Sequence, residues 1–322
     1  MQNNMVDEII NTDKENLLED TTFIVDIDDK NTRIDKYLSD ELADVSRSRI
    51  QKLLDEAMIT VNNNKVKSNY KVAADDIINV HIPELVVPEI VPEDISLDIV
   101  YEDDDIIVIN KPKGMVVHPA AGHYSGTLVN ALMYHCRDNL SGINGVLRPG
   151  IVHRIDMNTT GVIVACKNDY AHNFIAQQLS VHSITRKYYA IVHNQFNNTE
   201  GVVDAPIGRN PSDRKKMAVD KKNGKRAVTH YRVLEQFGKF SYIECQLETG
   251  RTHQIRVHMA SIGHPLLGDD VYGSGKSPFN LCGQTLHAGV LGFIHPTTKE
   301  YVEYSADLPE YFQKVISRLR NS

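Results

Sequence analysis

The chain has 322 residues, 41% of them hydrophobic and 24% charged, with a net charge of −7. That length holds a large domain plus a small one, and the composition is ordinary for a soluble globular protein. No apolar run approaches the roughly 20 residues that span a bilayer, and the start "MQNNMVDEII" has neither the basic opening nor the apolar core of a signal peptide.

The expected location is the cytoplasm, and the four cysteines (Cys136, Cys166, Cys245 and Cys282), far apart and never in C-x-x-C spacing, fit buried thiols there. The negative charge is unevenly placed. Residues 1–32 hold 9 acidic and 2 basic residues, 33–83 hold 8 of each, 84–105 hold 9 acidic and no basic ones, and 106–322 hold 25 basic against 16 acidic. The large C-terminal region is therefore basic and suits a polyanionic partner.

In chain order, residues 1–20 are polar and acidic and are expected to form a disordered tail. "TTFIVDI" alternates like a strand. "TRIDKYLSDELA" and "SRSRIQKLLDEA" place Ile34, Tyr37 and Leu38, then Ile50, Leu53 and Leu54, at helical spacing, with Ser46 as N-cap of the second helix. "MITVNNNKVK" predicts strand, Asn-rich turn and strand, and "DDIINVHIP" another strand. Residues 21–83 thus form a small module. Its second helix carries Arg47, Arg49 and Lys52, either a solvated face or, with the free amides of the helix start, a phosphate-binding face.

Prolines at 83, 88 and 92 exclude helix and predict an extended linker over 84–98. The large domain is expected over 99–322. Its strand candidates are "DIIVIN", "GVIVAC", "KYYAIV", "THYRVLEQF" and "FSYIECQLE", and its helix candidates "GTLVNALMYH", "AHNFIAQQLSVH", "HQIRVHMASIG" and "PEYFQKVISRLR". Strands and helices do not alternate regularly, which predicts an α+β fold with a mostly antiparallel mixed sheet.

Four segments concentrate reactive side chains: 101–135, 150–172, 183–192 and 247–273. His253 and His258 are five apart, not the i, i+4 pair of a helical zinc site, and no cysteine or carboxylate completes a ligand set, so no metal is expected. There is no G-x-S-x-G elbow, and "AAGHYSG" is neither a P-loop nor G-x-G-x-x-G. No second acid adjoins Asp156, which argues against a paired-carboxylate glycosidase. What remains is "HRIDMNTTG" (153–161), a single Asp156 beside Arg154. Alone, an R-x-D is most often a structural salt bridge at a strand end.

In context the stretch says more. Residues 33–83, with "RIDKYL", "SRSRIQKLL" and "ITVNNNKVK", resemble the S4 RNA-binding domain, a small αL-type module. Asn62–Asn64 stand where that family usually has a turn glycine. "NKPKGMVVHP", "GTLVNAL", "HRIDMNTTG", "GRTHQIRVH", "GHPLLGDDVYG" and "LHAGVLGFIHP" follow in the order of the RluA-type RNA pseudouridine synthases over nearly all of 99–300. The S4 module and "VVHPAAGHYSGTLVNAL" point to the subgroup of large-subunit ribosomal RNA pseudouridine synthase D. Departures from the family's H-R-L-D-x-x-T-S-G are Ile155 for Leu, Met157 for Lys and Thr160 for Ser.

The resemblance implies the pseudouridine synthase fold and an isomerisation that uses no cofactor, because converting uridine to pseudouridine involves no redox change. It implies that Asp156 acts at the ribose, that Arg256 pairs with it in a water-poor pocket, that Tyr188 stacks on the uracil, and that Arg154 fills the gap left by the everted nucleotide. His153, Arg251 and His253 lie in the same motifs and are candidate RNA contacts. So are Arg214, Lys215 and Lys216, within a segment (208–226) of 8 basic and 2 acidic residues that is otherwise a solvated loop.

The expected function is cofactor-free isomerisation of uridines in large-subunit (23S) ribosomal RNA by a monomer with no membrane partner. The alternatives are a transfer RNA or another RNA as substrate, a non-catalytic RNA-binding ribosome-assembly factor, and an N-glycosidase that releases the base.

Overall fold

Short amphipathic stretches at one end and long apolar runs at the other sort the chain into two units, residues 1–87 and 88–322. The computed structural model describes residues 17–42, 45–83, 90–120, 122–137, 139–143, 145, 148–213, 216–273 and 278–321.

In the first unit, strand β1 (Leu17–Ile24) precedes helices α1 (Ile34–Glu41) and α2 (Arg47–Asp55), then β2 (Ile59–Val61), β3 (Asn64–Lys65) and β4 (Ile77–Pro83). The sheet runs β1-β4-β2-β3 and is antiparallel throughout. Strand β1 begins inside the stretch expected to be tail, because its backbone pairs along β4 as far as Pro83. The periodic residues Ile34, Leu38, Ile50, Leu53 and Leu54 fill the core against Ile59, Ile78 and Val80. Ser46 caps α2, its side chain accepting the Arg49 amide. Asn62 and Asn63 make the β2–β3 turn at φ of 49° and 61°, a left-handed geometry that a two-residue hairpin turn demands and Asn tolerates.

The basic face of α2 is less free than its sequence suggests. Arg47 donates through Nη2 to both carboxylate oxygens of Asp35, at 3.1 and 3.0 Å. Arg33 and Gln51 donate to the same fully buried carboxylate. Burial alone would raise the pKa of Asp35, but the Arg33, Gln51 and Arg47 hydrogen bonds outweigh it and hold the group well below the usual carboxylate range. Lys52 lies 3.5 Å from Glu56, one turn on. Arg49 alone of the three makes no side-chain hydrogen bond or ion pair among the described residues.

An extended segment, 90–98, opens the second unit and is fastened along its length. Ile90 is buried in the core of the unit, the Asn130 side chain donates to the Val91 carbonyl at 2.8 Å, and the Gly126 amide donates to Glu93. The second half of the Pro-rich stretch therefore belongs to this unit's packing. Elements continue in the order β5 (Ile99–Glu102), β6 (Ile106–Lys111), α3 (Leu128–Cys136), β7 (Thr160–Cys166), α4 (Asp169–Ser180), β8 (Thr185–His193), β9 (Glu200–Asp204), β10 (Ile207–Arg209) and β11 (Met217–Val219). Then come β12 (Val228–Phe237), β13 (Phe240–Leu247), α5 (Gln254–Ser261), β14 (Leu286–Ile294), β15 (Tyr301–Ser305) and α6 (Glu310–Arg320).

Nine strands make one mixed sheet, β5-β6-β7-β14-β8-β13-β12-β9, with β15 also on β14. Every pairing in it is antiparallel except β7 with β14. The α+β architecture is thus as expected. Strands β6, β7 and β14 are buried almost throughout, which explains their continuous apolar runs. At the β7–β14 junction the chains approach so closely that a Cβ on Gly161 (φ 108°) would sit 2.1 Å from the Ala288 carbonyl oxygen. Only glycine fits there. Of the cysteines, Cys136, Cys166 and Cys245 are buried, but Cys282 is exposed, against expectation, because it lies in a surface turn before β14.

Candidate active site

The loop that leads into β7 carries Asp156 and is tied down on both sides of it. Upstream, His153 Nε2 accepts the Val164 amide of β7 at 3.1 Å. Burial drives this imidazole down to about 3, aided by nearby Arg186, so the ring is neutral and free to accept. Downstream, the Met157 carbonyl takes the Gly114 amide at 2.9 Å and the ammonium of Lys111 at 3.0 Å. Lys111 ends β6, is fully buried, and also donates to the Pro112 and Met115 carbonyls, each at 2.8 Å. Burial pushes its pKa down to about 7, opposed by the charge of Asp156. The Lys-Pro-Lys-Gly turn and the Asp156 loop are thereby held as one piece.

A second element brings the counter-charge. Before α5 the chain turns through His253, at φ 58°. The turn is knotted by buried Gln254, which accepts Thr249 Oγ1 at 2.8 Å and the Arg251 amide at 2.9 Å, and donates to the Val228 carbonyl at 2.9 Å. Arg256 then projects from the first turn of α5. Its Nε and Nη2 donate to the two oxygens of buried Asp269, at 2.7 and 3.0 Å, and its Nη1 donates to Asp156 Oδ2 at 3.0 Å. The Tyr272 ring lies 5.1 Å from the guanidinium carbon.

Burial opposes the charge on Arg256, but Asp269 and Asp156 more than compensate and raise its pKa. The same bond holds Asp269 below its ordinary value in spite of burial. Asp269 fixes the fork, and the fork's remaining nitrogen reaches Asp156.

Asp156 is left half open. Its side chain is 17% exposed, and Oδ1 faces His253 Nε2 at 3.8 Å with no hydrogen bond among the described residues. The other His253 nitrogen, Nδ1, is 2.8 Å from the Tyr272 hydroxyl, which also accepts the Met217 amide at 2.9 Å. Burial lowers the His253 pKa, with Asp156 opposing. A neutral imidazole that accepts the Tyr272 proton carries its own N–H at Nε2, on the Asp156 side.

These groups open onto a cavity of 570 Å³. His153, Arg154, Asp156, Tyr188, Arg251, His253 and Arg256, all singled out from sequence, line it together. Tyr188 sits on β8, 8% exposed, while Tyr189 turns to the other face against Tyr242. Arg154 is exposed, and Arg251 is anchored through Nε to the Arg226 carbonyl at 3.0 Å. Arg47, Arg49 and Lys52 belong to the first unit. Arg214 and Lys215 lie outside the described residues, and Lys216 is 3.9 Å from Asp213. The segment around them contains a hairpin, β10 with β11, whose Ile207, Met217 and Val219 pack with Val257 of α5.

Three residues escaped the sequence reading. Asp269 stands beside Asp270 with nothing in the pattern to separate them. Lys111 sits within "NKPKGMVVHP" but received no role, because lysines are rarely buried. Arg186 shares the Tyr188 face of β8, as the two-residue alternation of a strand implies.

Residues 105–261 match the family of RNA pseudouridylate synthases, and residues 32–78 match the S4 domain. The chain is 53% identical over 294 residues to an uncharacterized RNA pseudouridine synthase of Bacillus subtilis (strain 168), covering 91% of this chain and 96% of that one. It is 46% identical over 297 residues to the ribosomal large subunit pseudouridine synthase D of Zymomonas mobilis subsp. mobilis, over 89% of this chain and 93% of that protein. Among solved structures, human RNA pseudouridylate synthase domain containing 1 superposes with a TM-score of 0.53 and 25% identity, covering 70% of this chain and 96% of its own.

Proposed function

Because this chain belongs to the RNA pseudouridine synthase family, we propose that it isomerises uridines of large-subunit ribosomal RNA, with Asp156 acting at the ribose. The observation that carries this is the state of Asp156: one oxygen held by Arg256, the other open to a cavity beside Tyr188. The relative from Zymomonas mobilis, named for the ribosomal large subunit, supports the choice of RNA.

The target nucleotide must leave its stack to enter the cavity, at a cost of a few kcal/mol that is least for a loop uridine. Stacking on Tyr188 and contacts from Arg154 and Arg251 to the RNA offset that cost. Asp156 then either attacks C1′ or removes a ribose proton. In both routes the N1–C1′ bond breaks, the base turns, and C5 rejoins C1′. Atoms and electrons are conserved within the nucleotide, so the chemistry calls for no cofactor. The S4 domain adds phosphate contacts of its own.

The test is to map pseudouridines in ribosomal and transfer RNA from cells with the gene, without it, and with Asp156→Asn in its place. The expected result is loss of the same large-subunit sites in the last two. In vitro, Asp156→Asn should abolish turnover while RNA affinity stays within about tenfold. Loss confined to transfer RNA would overturn the ribosomal assignment. Normal turnover by Asp156→Asn would overturn the role of the carboxylate, and a released base would indicate a glycosidase.

A further inference from the structure

Arg186 is a buried cation that no carboxylate of the described residues neutralises. It lies on β8, lines the same cavity as Asp156, and is 6% exposed. Its Nη2 donates to the Glu248 carbonyl at 2.8 Å, while its Nε is buried and has no hydrogen-bond partner among the described residues. The chain makes room for it. A Cβ on Gly250 would stand 2.5 Å from Arg186 Nη1, and Gly250 is not in the left-handed region, so space and not backbone conformation explains that glycine. An uncompensated buried charge is strongly unfavourable. Such a group persists where something else supplies the negative partner.

We propose that Arg186 is a catalytic residue that donates a hydrogen bond to a carbonyl oxygen of the target uracil and holds the charge of the detached base. This rests on the isomerisation proposed above. When N1–C1′ breaks, the bonding pair stays with N1, and the negative charge spreads over N1 and the ring's carbonyl oxygens. C5 then bonds to C1′, the C5 proton leaves and N1 gains one. Arg186 transfers no proton; it offers a fixed N–H at the moment the base is anionic.

Position favours the base over a phosphate as its partner. Arg186 and Tyr188 are two residues apart on one strand and so project to the same face, which puts the cation beside the ring on which the uracil stacks. Arg154 is exposed at the surface and Arg251 is half-buried, so these are better placed than Arg186 to reach RNA outside the pocket. Their charges also complete a cavity lined by Asp156 together with Arg256, Arg186, Arg251 and Arg154, a setting that stabilises an anion.

The experiment is single-turnover isomerisation of large-subunit ribosomal RNA transcripts carrying uridine, 2-thiouridine or 4-thiouridine, by the full-length wild type, Arg186→Gln and Arg186→Lys. Sulfur accepts hydrogen bonds more weakly than oxygen, so it weakens one contact at a time. On plain RNA, Arg186→Gln should be slowed about 100- to 1,000-fold, as for loss of one preorganised donor, with RNA affinity within about threefold. One of the two thio substitutions should slow the wild type and leave Arg186→Gln no slower than it already is. Arg186→Lys, which keeps charge without the planar fork, should fall between. It carries the same comparison if Arg186→Gln melts.

Equal slowing of wild type and variant by both thio substitutions would overturn the proposal. So would a defect confined to RNA affinity with a salt slope smaller by about one, the mark of a phosphate contact. A wild type that forms no pseudouridine would instead refute the function on which this rests.

Discussion

The tripeptide Arg-Ile-Asp stands at 33–35 in the first unit and again at 154–156 in the second. At the first site it closes on itself. Arg33 grips Asp35 through Nε and Nη2, at 3.0 and 2.9 Å, and Arg47 and Gln51 take what acceptor capacity is left. At the second site Arg154 makes no bond to Asp156. A distant residue, Arg256, binds one oxygen only and is itself braced by Asp269. The first carboxylate is saturated and sealed; the one proposed to react is held through a single oxygen and keeps the other free. The difference lies in the partners the fold delivers, since the local sequence is the same.

The comparison can be broken most sharply by neutralising each acid. Asp35→Asn should cost about 2–3 kcal/mol, because it weakens several charge-assisted hydrogen bonds at a buried acceptor while the half-exposed Arg33 and Arg47 stay solvated, with turnover per folded molecule unchanged. Asp156→Asn should keep stability within about 1 kcal/mol, since one partly open contact is involved, and lose turnover. Denaturant titration beside a pseudouridine assay reads both. Equal stability losses would erase the distinction.

Next come the bases. Arg256→Met strands buried Asp269 and should cost about 3 kcal/mol or more, whereas Arg47→Met should cost about 1–2 kcal/mol because Asp35 keeps Arg33 and Gln51. Arg256→Lys restores charge but not the two-point fork, so turnover should return only in part.

Acid should separate the units in a third way. An unfolded histidine takes a proton below about 6.5, while His153 in the fold resists until about 3. Below 6.5 the unfolded chain therefore binds more protons. Stability of the second unit should fall with pH through that window, by up to about 1.4 kcal/mol per pH unit from this group. Asp35 has a lowered pKa, so its contribution is intact above its ordinary value of 3.8 and is lost only below it. Hydrogen exchange followed by unit should show the second softening first, and His153→Gln should shrink the gap. Coincident softening would refute this.

The smallest effect is expected at Arg49. As the one α2 cation without a described partner, its replacement by Gln should reduce the salt slope of RNA binding by about one, and Arg47→Gln by less.

Much of this was legible in the sequence because local rules and fold agree. The apolar spacing of α1 and α2, the Ser46 cap and the Asn turn were all read correctly. Asp156, Tyr188 and Arg256 were named from motifs, and the structure puts them around one cavity. Strand β14 was not assigned, because Gly289 and Gly292 weaken its strand signal. Their Cβ atoms would collide with the rings of Tyr189 and Tyr301, contacts invisible along the chain. The β10–β11 hairpin hid inside a basic stretch for lack of alternation. Asp269 and Lys111 were beyond reach because their roles depend on what tertiary packing places against them.

Strand β14 also sets an order of assembly. It joins β7 to β8, and among the described residues no other strand bridges those two halves of the sheet. The loop of Asp156 hangs from the first half and Tyr188 from the second, yet the bridging strand is made only at Leu286–Ile294. A nascent chain that has emerged through α5 already holds Asp156, Tyr188 and Arg256, but still lacks the strand that joins β7 to β8. Long-range pairing of this kind is slow to form and comes late. The cavity therefore becomes a site only when the chain has been made through β14.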